Sequence, residues 1–467
     1  MFKAIRNFYK TSAPIEPLNL DEKAQTRYYR KLSLQAFLAG TLGYSLYYVC
    51  RTSLNVMKKP ILDSGMLDAT QLGVIGSALL FAYAAGKFVN GFIADHCNIK
   101  RFMATGLIVS TLANFIMGVL GLVSQELSVI PTAVLFISFA VMWGINGWSQ
   151  SMGAAPAIIA LSRWFPLNRR GTFYGMFSAS HNIGEWLSFI FVGSIVSVAG
   201  WQWGFFGSSI AGVLGVICIL FFLHDTPESK GLPSIEVLAH EKPQVKPNED
   251  VKAIQRQVLR NPGVYVLALA SAFMYISRYS LNSWGILFLQ EAKGFSMTDA
   301  TFIISLNALL GIVGTVVSGW LTDVLFNGNR KIPALAAGIL LSISYIIFIY
   351  GGNNYWVNAT SMVLFGIAIG VLISFLGGLM AVDIVPRKAT GAALGIVGLA
   401  SYIAAGIQDV VSGWLIDSNT TETINELGEV VKQYDFSDAA IFWIGASIIS
   451  FLLPILNWGR KVQQEEE

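Results

Sequence analysis

Apolar residues occur along this chain in long stretches that are separated by short polar segments. Twelve of these stretches are about 20 residues long, the length that an α-helix needs to cross the hydrocarbon layer of a membrane. Their centres lie near Gly43, Leu80, Thr111, Phe139, Ile183, Val213, Met274, Gly311, Leu340, Gly366, Leu399 and Ile448. Open β structure is excluded at membrane depth, because lipid cannot satisfy the polar groups at a sheet edge. The pattern predicts an all-α membrane protein with twelve transmembrane helices.

The composition agrees with this prediction. Hydrophobic residues make up 54% of the 467 residues and charged residues 13%, whereas soluble chains carry about 25% charged residues. The first 30 residues are charged and lack the apolar core of a cleavable signal peptide. The cysteines show neither a disulfide framework nor metal-ligand spacing; they are Cys50, Cys97 and Cys218. We expect no metal, no cofactor and no nucleic-acid partner.

The basic residues predict the orientation of the chain. With the N-terminus in the cytoplasm, 24 of the 31 Lys and Arg residues fall in cytoplasmic segments, as the positive-inside rule requires. The opposite loops would hold only Lys58, Lys59, Lys293 and Lys432. Both termini are therefore expected in the cytoplasm, in a bacterial inner membrane.

One long polar stretch, rich in proline and charge, divides the spans into six and six. The predicted organisation is an N-terminal cytoplasmic segment, a six-helix half, a cytoplasmic linker, a second six-helix half and a cytoplasmic tail, over residues 1–30, 31–224, 225–261, 262–459 and 460–467.

The two halves repeat one plan. "YYVCR" (47–51) matches "MYISR" (274–278), and "GFIADHCNIKR" (91–101) matches "GWLTDVLFNGNR" (319–330), at nearly constant offsets. Parallel six-helix repeats with a binding site between them near the membrane midplane describe one class of secondary transporters. The repeat therefore predicts two pseudo-symmetric halves.

Two arginines lie inside predicted spans, at repeat-related positions. Arg278 is near mid-span, so pseudo-symmetry gives Arg51 the same depth. An arginine at this depth needs a partner or a wet cavity, and two of them facing one cavity suit a dianionic phosphate. Two alternatives remain open at this point: Arg51 snorkels to the outer surface, or the arginines pair with Glu185 or Asp409.

Further polar residues fall within the spans. Lys87 either adds positive charge to the site or pairs with an acidic residue. His181 and Glu185 are four residues apart and share a helix face, where they are candidates for substrate binding or proton handling. Asp409 is an intramembrane acid and hence a functional candidate. We treat Glu185 and Asp409 as coupling or specificity candidates.

Tyrosines and turn residues complete the set. Candidate hydrogen-bond donors in the cavity are Tyr44, Tyr48, Tyr275 and Tyr402, and Tyr83 lies one helical turn from Lys87 on the same face. The repeated turns hold an Asp at a helix end with a nearby Arg, which predicts a conformational latch made of Gly91, Asp95, Arg101, Gly319, Asp323 and Arg330.

At these residues the chain resembles the major facilitator superfamily, and more narrowly its organophosphate:phosphate antiporter family. The stretches that carry the resemblance are "GYSLYYVCRTSLNVM" (43–57), "RWFPLNRRGTFYGMFSASHNIG" (163–184), "DTPESKGLPSIE" (225–236) and "LTDVLFNGNR" (321–330). The similarity covers nearly the whole chain. After "HNIG" the family usually continues with a second glycine, whereas this chain has Glu185.

The resemblance implies that Arg51 and Arg278 hold a phosphate group. It also implies that Lys87, His181 and the five tyrosines lie near the substrate. By the same resemblance, the protein would exchange a sugar phosphate or glycerol phosphate for inorganic phosphate by alternating access. The sequence leaves the oligomeric state open, a monomer included. The alternatives are a proton-coupled organic-anion symporter and a membrane sensor of hexose phosphate. An enzyme is disfavoured, since the sequence shows no nucleophile constellation and no nucleotide-binding loop.

Overall fold

A computed structural model describes residues 7–127, 130–238, 258–320, 322, 325–326, 329–385, 390–424 and 430–457. Within these ranges the chain is almost entirely helical. The predicted all-α membrane architecture is confirmed.

The first group of helices precedes the long polar stretch. It comprises α1 (Glu22–Asp63), α2 (Ala69–Asp95), α3 (Ile99–Leu127), α4 (Thr132–Trp164), α5 (Leu167–Ser178), α6 (Ser180–Ala199) and α7 (Trp201–Phe222). Helices α5 and α6 follow each other directly. Short turns of helix at Glu228–Lys230 and Ile235–Leu238 come next.

The second group follows the polar stretch. It comprises α8 (Pro262–Glu291), α9 (Met297–Trp320), α10 (Lys331–Tyr350), α11 (Tyr355–Ser374), α12 (Thr390–Ser418) and α13 (Ser437–Leu452). A π-helical segment (Phe375–Leu379) and a short helix (Met380–Val382) extend α11, and a 3-10 segment (Leu453–Asn457) extends α13. Strands β1 (Thr421–Ile424) and β2 (Val430–Gln433) form an antiparallel hairpin between α12 and α13.

Eleven of the described helical segments are long and apolar enough to cross a membrane. The twelfth long helix, α1, has 42 residues. It carries Arg51, Lys58 and Lys59 in its second half. All twelve predicted span centres lie within these helices.

Local chemistry sets several helix ends. Helix α1 begins at Glu22, inside the predicted N-terminal segment 1–30, because the Asp21 side chain accepts a hydrogen bond from the Ala24 N–H. Asp68 and Gln71 form a capping box at the start of α2. Gly200 joins α6 to α7 without a loop, with a φ of +93° that glycine adopts at little cost.

The packing of the two groups follows one plan. In the first group α2 packs on α4, α1 on α6 and α3 on α7; in the second, α9 packs on α11, α8 on α12 and α10 on α13. These pairs are equivalent under the six-helix repeat. Between the groups, α2 packs on α12, α6 on α9 and α1 on α8.

The two ends of the bundle differ. We call the end that carries the β-hairpin the hairpin end, and the opposite end, where α1 and α8 begin, the terminal end. At the hairpin end an ion pair joins Lys59 of α1 to Glu291 of α8. There too, the Thr70 hydroxyl donates to Asp417. The hairpin end is therefore closed across the two groups.

Candidate functional site

Arg51 and Arg278 lie at matching depths on the paired helices α1 and α8. Arg51 is 12 residues before Asp63, the end of α1, and Arg278 is 13 residues before Glu291, the end of α8. At 1.5 Å per residue, both lie about 18–20 Å from the hairpin end. Arg51 is 4% exposed and Arg278 5%. The snorkelling interpretation of Arg51 is therefore wrong.

Arg51 is surrounded by aromatic rings. Its Nη2 atom donates a hydrogen bond of 3.2 Å to the Tyr279 hydroxyl. Its guanidinium carbon lies 4.1 Å from the centroid of Tyr83, 5.2 Å from that of Tyr48 and 5.6 Å from that of Tyr402. Ring faces attract a cation but carry no net charge. Among the described side chains no carboxylate pairs with Arg51, so its charge has no acidic counterpart in that part of the chain.

Arg278 has an acidic partner. Its Nη2 atom lies 3.2 Å from Glu185 Oε2. The Asn282 amide donates a hydrogen bond of 2.7 Å to Glu185 Oε1, so each carboxylate oxygen has one donor. The ion-pair alternative that the sequence left open thus holds for Arg278 with Glu185 and does not hold for Arg51.

The predicted tyrosines line the space around the arginines. Tyr402 is central: its ring centroid lies 4.6 Å from that of Tyr83 and 5.3 Å from that of Tyr275. On the other side, the Tyr48 ring lies 5.4 Å from Tyr44 and 5.9 Å from His181. These residues come from α1, α2, α6, α8 and α12, so both halves contribute to one aromatic compartment.

Lys87 lies at the terminal-end side of this compartment. Its Nζ atom is 5.2 Å from the Tyr402 ring centroid, and the residue is exposed. No acidic partner of Lys87 occurs among the residues that the structure describes. The geometry therefore agrees with added positive charge at the compartment rather than with a structural ion pair.

Asp409 does not approach the arginines. It pairs with Lys58 at 3.0 Å, and the Ser283 hydroxyl donates to the same carboxylate oxygen at 2.7 Å. The Lys58 ammonium also lies 3.4 Å from the Trp284 ring centroid. Lys58 is fully buried within α1, so its predicted place in an outer loop is wrong. The helix continues past Lys58 because Asp409 supplies the counter-charge.

This Lys58–Asp409 pair joins the two halves on the hairpin side of the arginines. The backbones around it are close: a Cβ atom at Gly76 would lie 1.7 Å from Asp409 Oδ2, and one at Gly73 would lie 2.4 Å from the Asp409 carbonyl oxygen. Only glycine fits such an approach. Towards the terminal end, by contrast, Lys87 is exposed although its ammonium lies 5.2 Å from the Tyr402 ring centroid. The compartment is therefore closed at the hairpin end and reaches solvent on its terminal-end side.

The latch residues that the structure describes lie towards the terminal end. The Arg101 guanidinium donates to the Phe8 carbonyl at 2.7 Å, and Arg330 pairs with Asp383. Gly91 and Gly319 lie within α2 and α9. The Asp95 side chain and the whole of Asp323 lie outside the described part of the chain, so the latch stays a prediction.

A separate cavity of about 740 Å³ lies at the hairpin end of the second half, lined by Lys293 and Tyr434 among others. Burial lowers the pKa of Lys293 to about 8. Its ammonium already donates to the Phe348 carbonyl and, at 2.8 Å, to Asn358. None of the predicted site residues lines this cavity.

The sequence reasoning missed several residues of the site and of the pair beside it. Tyr279 directly follows Arg278, and Asn282 lies one helical turn after Arg278. Lys58 follows Arg51 by two turns and so shares its face of α1. Helical spacing from the two arginines was therefore the available signal.

Three comparisons identify what the chain resembles. The signature of the Major Facilitator Superfamily matches residues 40–408. A "Probable hexose phosphate transport protein" of Chlamydia pneumoniae is 32% identical over 94% of each chain. The "Glycerol-3-phosphate transporter" of Bacillus subtilis is 30% identical over 98% of this chain and 99% of its own.

Among solved structures, a bacterial homologue of the human lysosomal transporter Spinster, in an inward-facing and unoccupied conformation, has a TM-score of 0.68. It is 17% identical, over 93% of this chain and 96% of its own, and this likeness concerns the fold alone. The superfamily signature and the two curated relatives establish that the chain belongs to the major facilitator superfamily and, within it, to the organophosphate:phosphate antiporter family.

Proposed function

We propose that this protein transports an organophosphate, either a sugar phosphate or glycerol 3-phosphate, across the bacterial inner membrane in exchange for inorganic phosphate. The observation that carries the proposal is the pair of buried arginines at equal depth on α1 and α8, one from each half. The names of the two curated relatives support the substrate class.

The chemistry of Arg51 favours an anion. Its charge is buried, and the aromatic rings around it supply only part of the stabilisation that an anion would give. A phosphate dianion between Arg51 and Arg278 would accept hydrogen bonds from both guanidinium groups, the geometry for which arginine is suited. Tyr279, which accepts from Arg51, can turn its own hydroxyl hydrogen towards the same phosphate.

The transport cycle follows from where the charges lie. In the described conformation the hairpin end is closed, and the compartment opens towards the terminal end. We assign the terminal end to the cytoplasm from the distribution of Lys and Arg. A phosphate that bridges α1 and α8 offsets the repulsion between the two arginines, which favours closure of the halves around it. Alternating access then delivers the substrate to the opposite end.

The first test is exchange of radiolabelled inorganic phosphate in proteoliposomes preloaded with phosphate. Glycerol 3-phosphate and glucose 6-phosphate serve as external competitors. We expect exchange in the wild type and its loss in Arg51→Ala and Arg278→Ala. Arg27→Ala, at an exposed position of α1, is the matched control. Correctly inserted arginine variants with wild-type exchange would contradict the proposal.

The ion pair between Glu185 and Arg278 favours one second candidate, a proton-coupled symporter. Because Glu185 neutralises Arg278, the empty site carries less charge than two free arginines would give it. An empty carrier of this kind reorients more easily, which permits net uptake. Uptake driven by a pH gradient into vesicles without internal phosphate would favour the symporter over the exchanger.

A further inference from the structure

We infer that Glu185 and Asn282 form the subsite for the organic half of the substrate. This subsite selects organophosphates whose organic half ends in hydroxyl groups over those whose organic half carries a carboxylate. The inference rests on the proposed function, because it assumes that the phosphate is held by Arg51 and Arg278. It adds a substrate class that the comparisons do not distinguish.

The first observation is an unsatisfied acceptor. Asn282 is 2% exposed, and its amide nitrogen donates to Glu185. Its Oδ1 atom is buried and has no hydrogen-bond partner in the described part of the chain. The orientation of the amide is fixed, since a carboxylate only accepts and must therefore face the nitrogen. A buried acceptor left unpaired is costly, and a ligand that brings a donor would satisfy it.

The second observation is that the compartment has two chemical poles. Arg51, Lys87 and the tyrosine hydroxyl groups are donors, whereas Asn282 Oδ1 and the Glu185 oxygens are acceptors. A phosphate dianion has acceptors only, so it cannot satisfy the second pole. A hydroxyl group can donate to Asn282 or Glu185. A carboxylate on the ligand cannot donate, and it would meet the like charge of Glu185.

The third observation is the distance between the poles. Arg278 and Asn282 are one turn apart on α8, about 6 Å along the helix axis, and Glu185 contacts both of them. A phosphate on Arg278 therefore leaves the carbon chain of a three-carbon or larger organophosphate within reach of Asn282. Glycerol 3-phosphate and hexose phosphates both satisfy this span.

The experiment compares two ligands that differ at one end only. Glycerol 3-phosphate ends in a CH₂OH group and 3-phosphoglycerate in a carboxylate, and both are phosphate monoesters. The affinity of each ligand is measured by its displacement of radiolabelled inorganic phosphate from purified protein. The assay is run at pH 8, where the phosphate groups are dianionic. We expect the wild type to bind glycerol 3-phosphate at least about 10-fold more tightly, the scale of a lost hydrogen bond to a buried charged site.

Two variants separate the roles of the two residues. Glu185→Gln keeps an acceptor for the Asn282 amide and removes the charge, so the preference for glycerol 3-phosphate should shrink about 10-fold. Asn282→Leu removes the free acceptor, so glycerol 3-phosphate should bind about 10-fold more weakly while inorganic phosphate changes less than about 3-fold. Thermal unfolding of each variant checks that it is folded.

The inference is overturned if the wild type binds 3-phosphoglycerate as tightly as glycerol 3-phosphate. It is also overturned if Asn282→Leu weakens inorganic phosphate and glycerol 3-phosphate equally, because Asn282 would then only support Arg278. Phosphate exchange measured on the same preparations distinguishes the two proposals. Ligand discrimination without exchange would support the subsite and refute the exchanger, as expected of a sensor.

Discussion

The Lys58–Asp409 pair allows a quantitative prediction about how the hairpin end stays closed. The pair joins α1 to α12 across the two halves, and both side chains are buried, Lys58 at 0% exposure and Asp409 at 4%. Opening of the hairpin end would separate the halves and bring both groups into water. The substitution Lys58→Met keeps the bulk of the side chain but leaves Asp409 buried without its cation.

The expected effect follows from the burial of the pair. Removing one partner of a buried ion pair costs about 3–5 kcal/mol. The penalty applies only while the hairpin end is closed. Lys58→Met should therefore favour the open hairpin end by roughly 100-fold or more.

The assay is maleimide labelling of a cysteine at Ala69, which is buried at the closed hairpin end. The native cysteines are first replaced, and rates are normalised to a cysteine at the exposed Thr421. The double variant Lys58→Met with Asp409→Asn should return close to the wild-type rate, because a neutral pair carries no such penalty. Equal labelling of the wild type and Lys58→Met would refute the reasoning.

Three further predictions follow from single contacts. Gly76→Ala should prevent closure of the hairpin end, because its Cβ atom would overlap Asp409; faster labelling of the same cysteine reports this, and an unchanged rate would contradict it. Tyr279→Phe removes the hydrogen bond to Arg51 and should weaken phosphate binding several-fold, with Tyr350→Phe, at an exposed position, as control. Burial, with Lys230 and Lys100 adding to it, lowers the pKa of His224 to about 4, so the unfolded chain binds a proton there more readily. Stability should therefore fall as the pH drops from about 6.5 towards 4, and a thermal-unfolding profile that His224→Gln leaves unchanged would contradict this.

The sequence predicted the membrane helices well, because the signal is local. A stretch of about 20 apolar residues is long enough to span a bilayer whatever surrounds it. The exception is instructive: Lys58 and Lys59 were assigned to a loop because charge usually ends a span. In the structure α1 continues to Asp63, since Asp409 and Glu291 supply counter-charges from the other half.

The internal repeat also predicted part of the candidate site. Sequence matching alone placed Arg51 and Arg278 at one depth on paired helices, because equal positions in a repeat have equal depth in the fold. It did not say which acid pairs with which base. Glu185 and Asp409 were both candidates for the arginines, and only one of them is near an arginine.

The sequence by itself determined the helices, the two halves and the charges held at membrane depth, since these follow from hydrophobic length and internal repetition. The tertiary structure decided the partners: Glu185 with Arg278 across 93 residues, and Asp409 with Lys58 across 351. An ion pair requires contact within a few ångströms. That distance depends on the rotation of each helix about its axis and on how the two halves pack against each other. The spacing of residues along the chain determines neither of these.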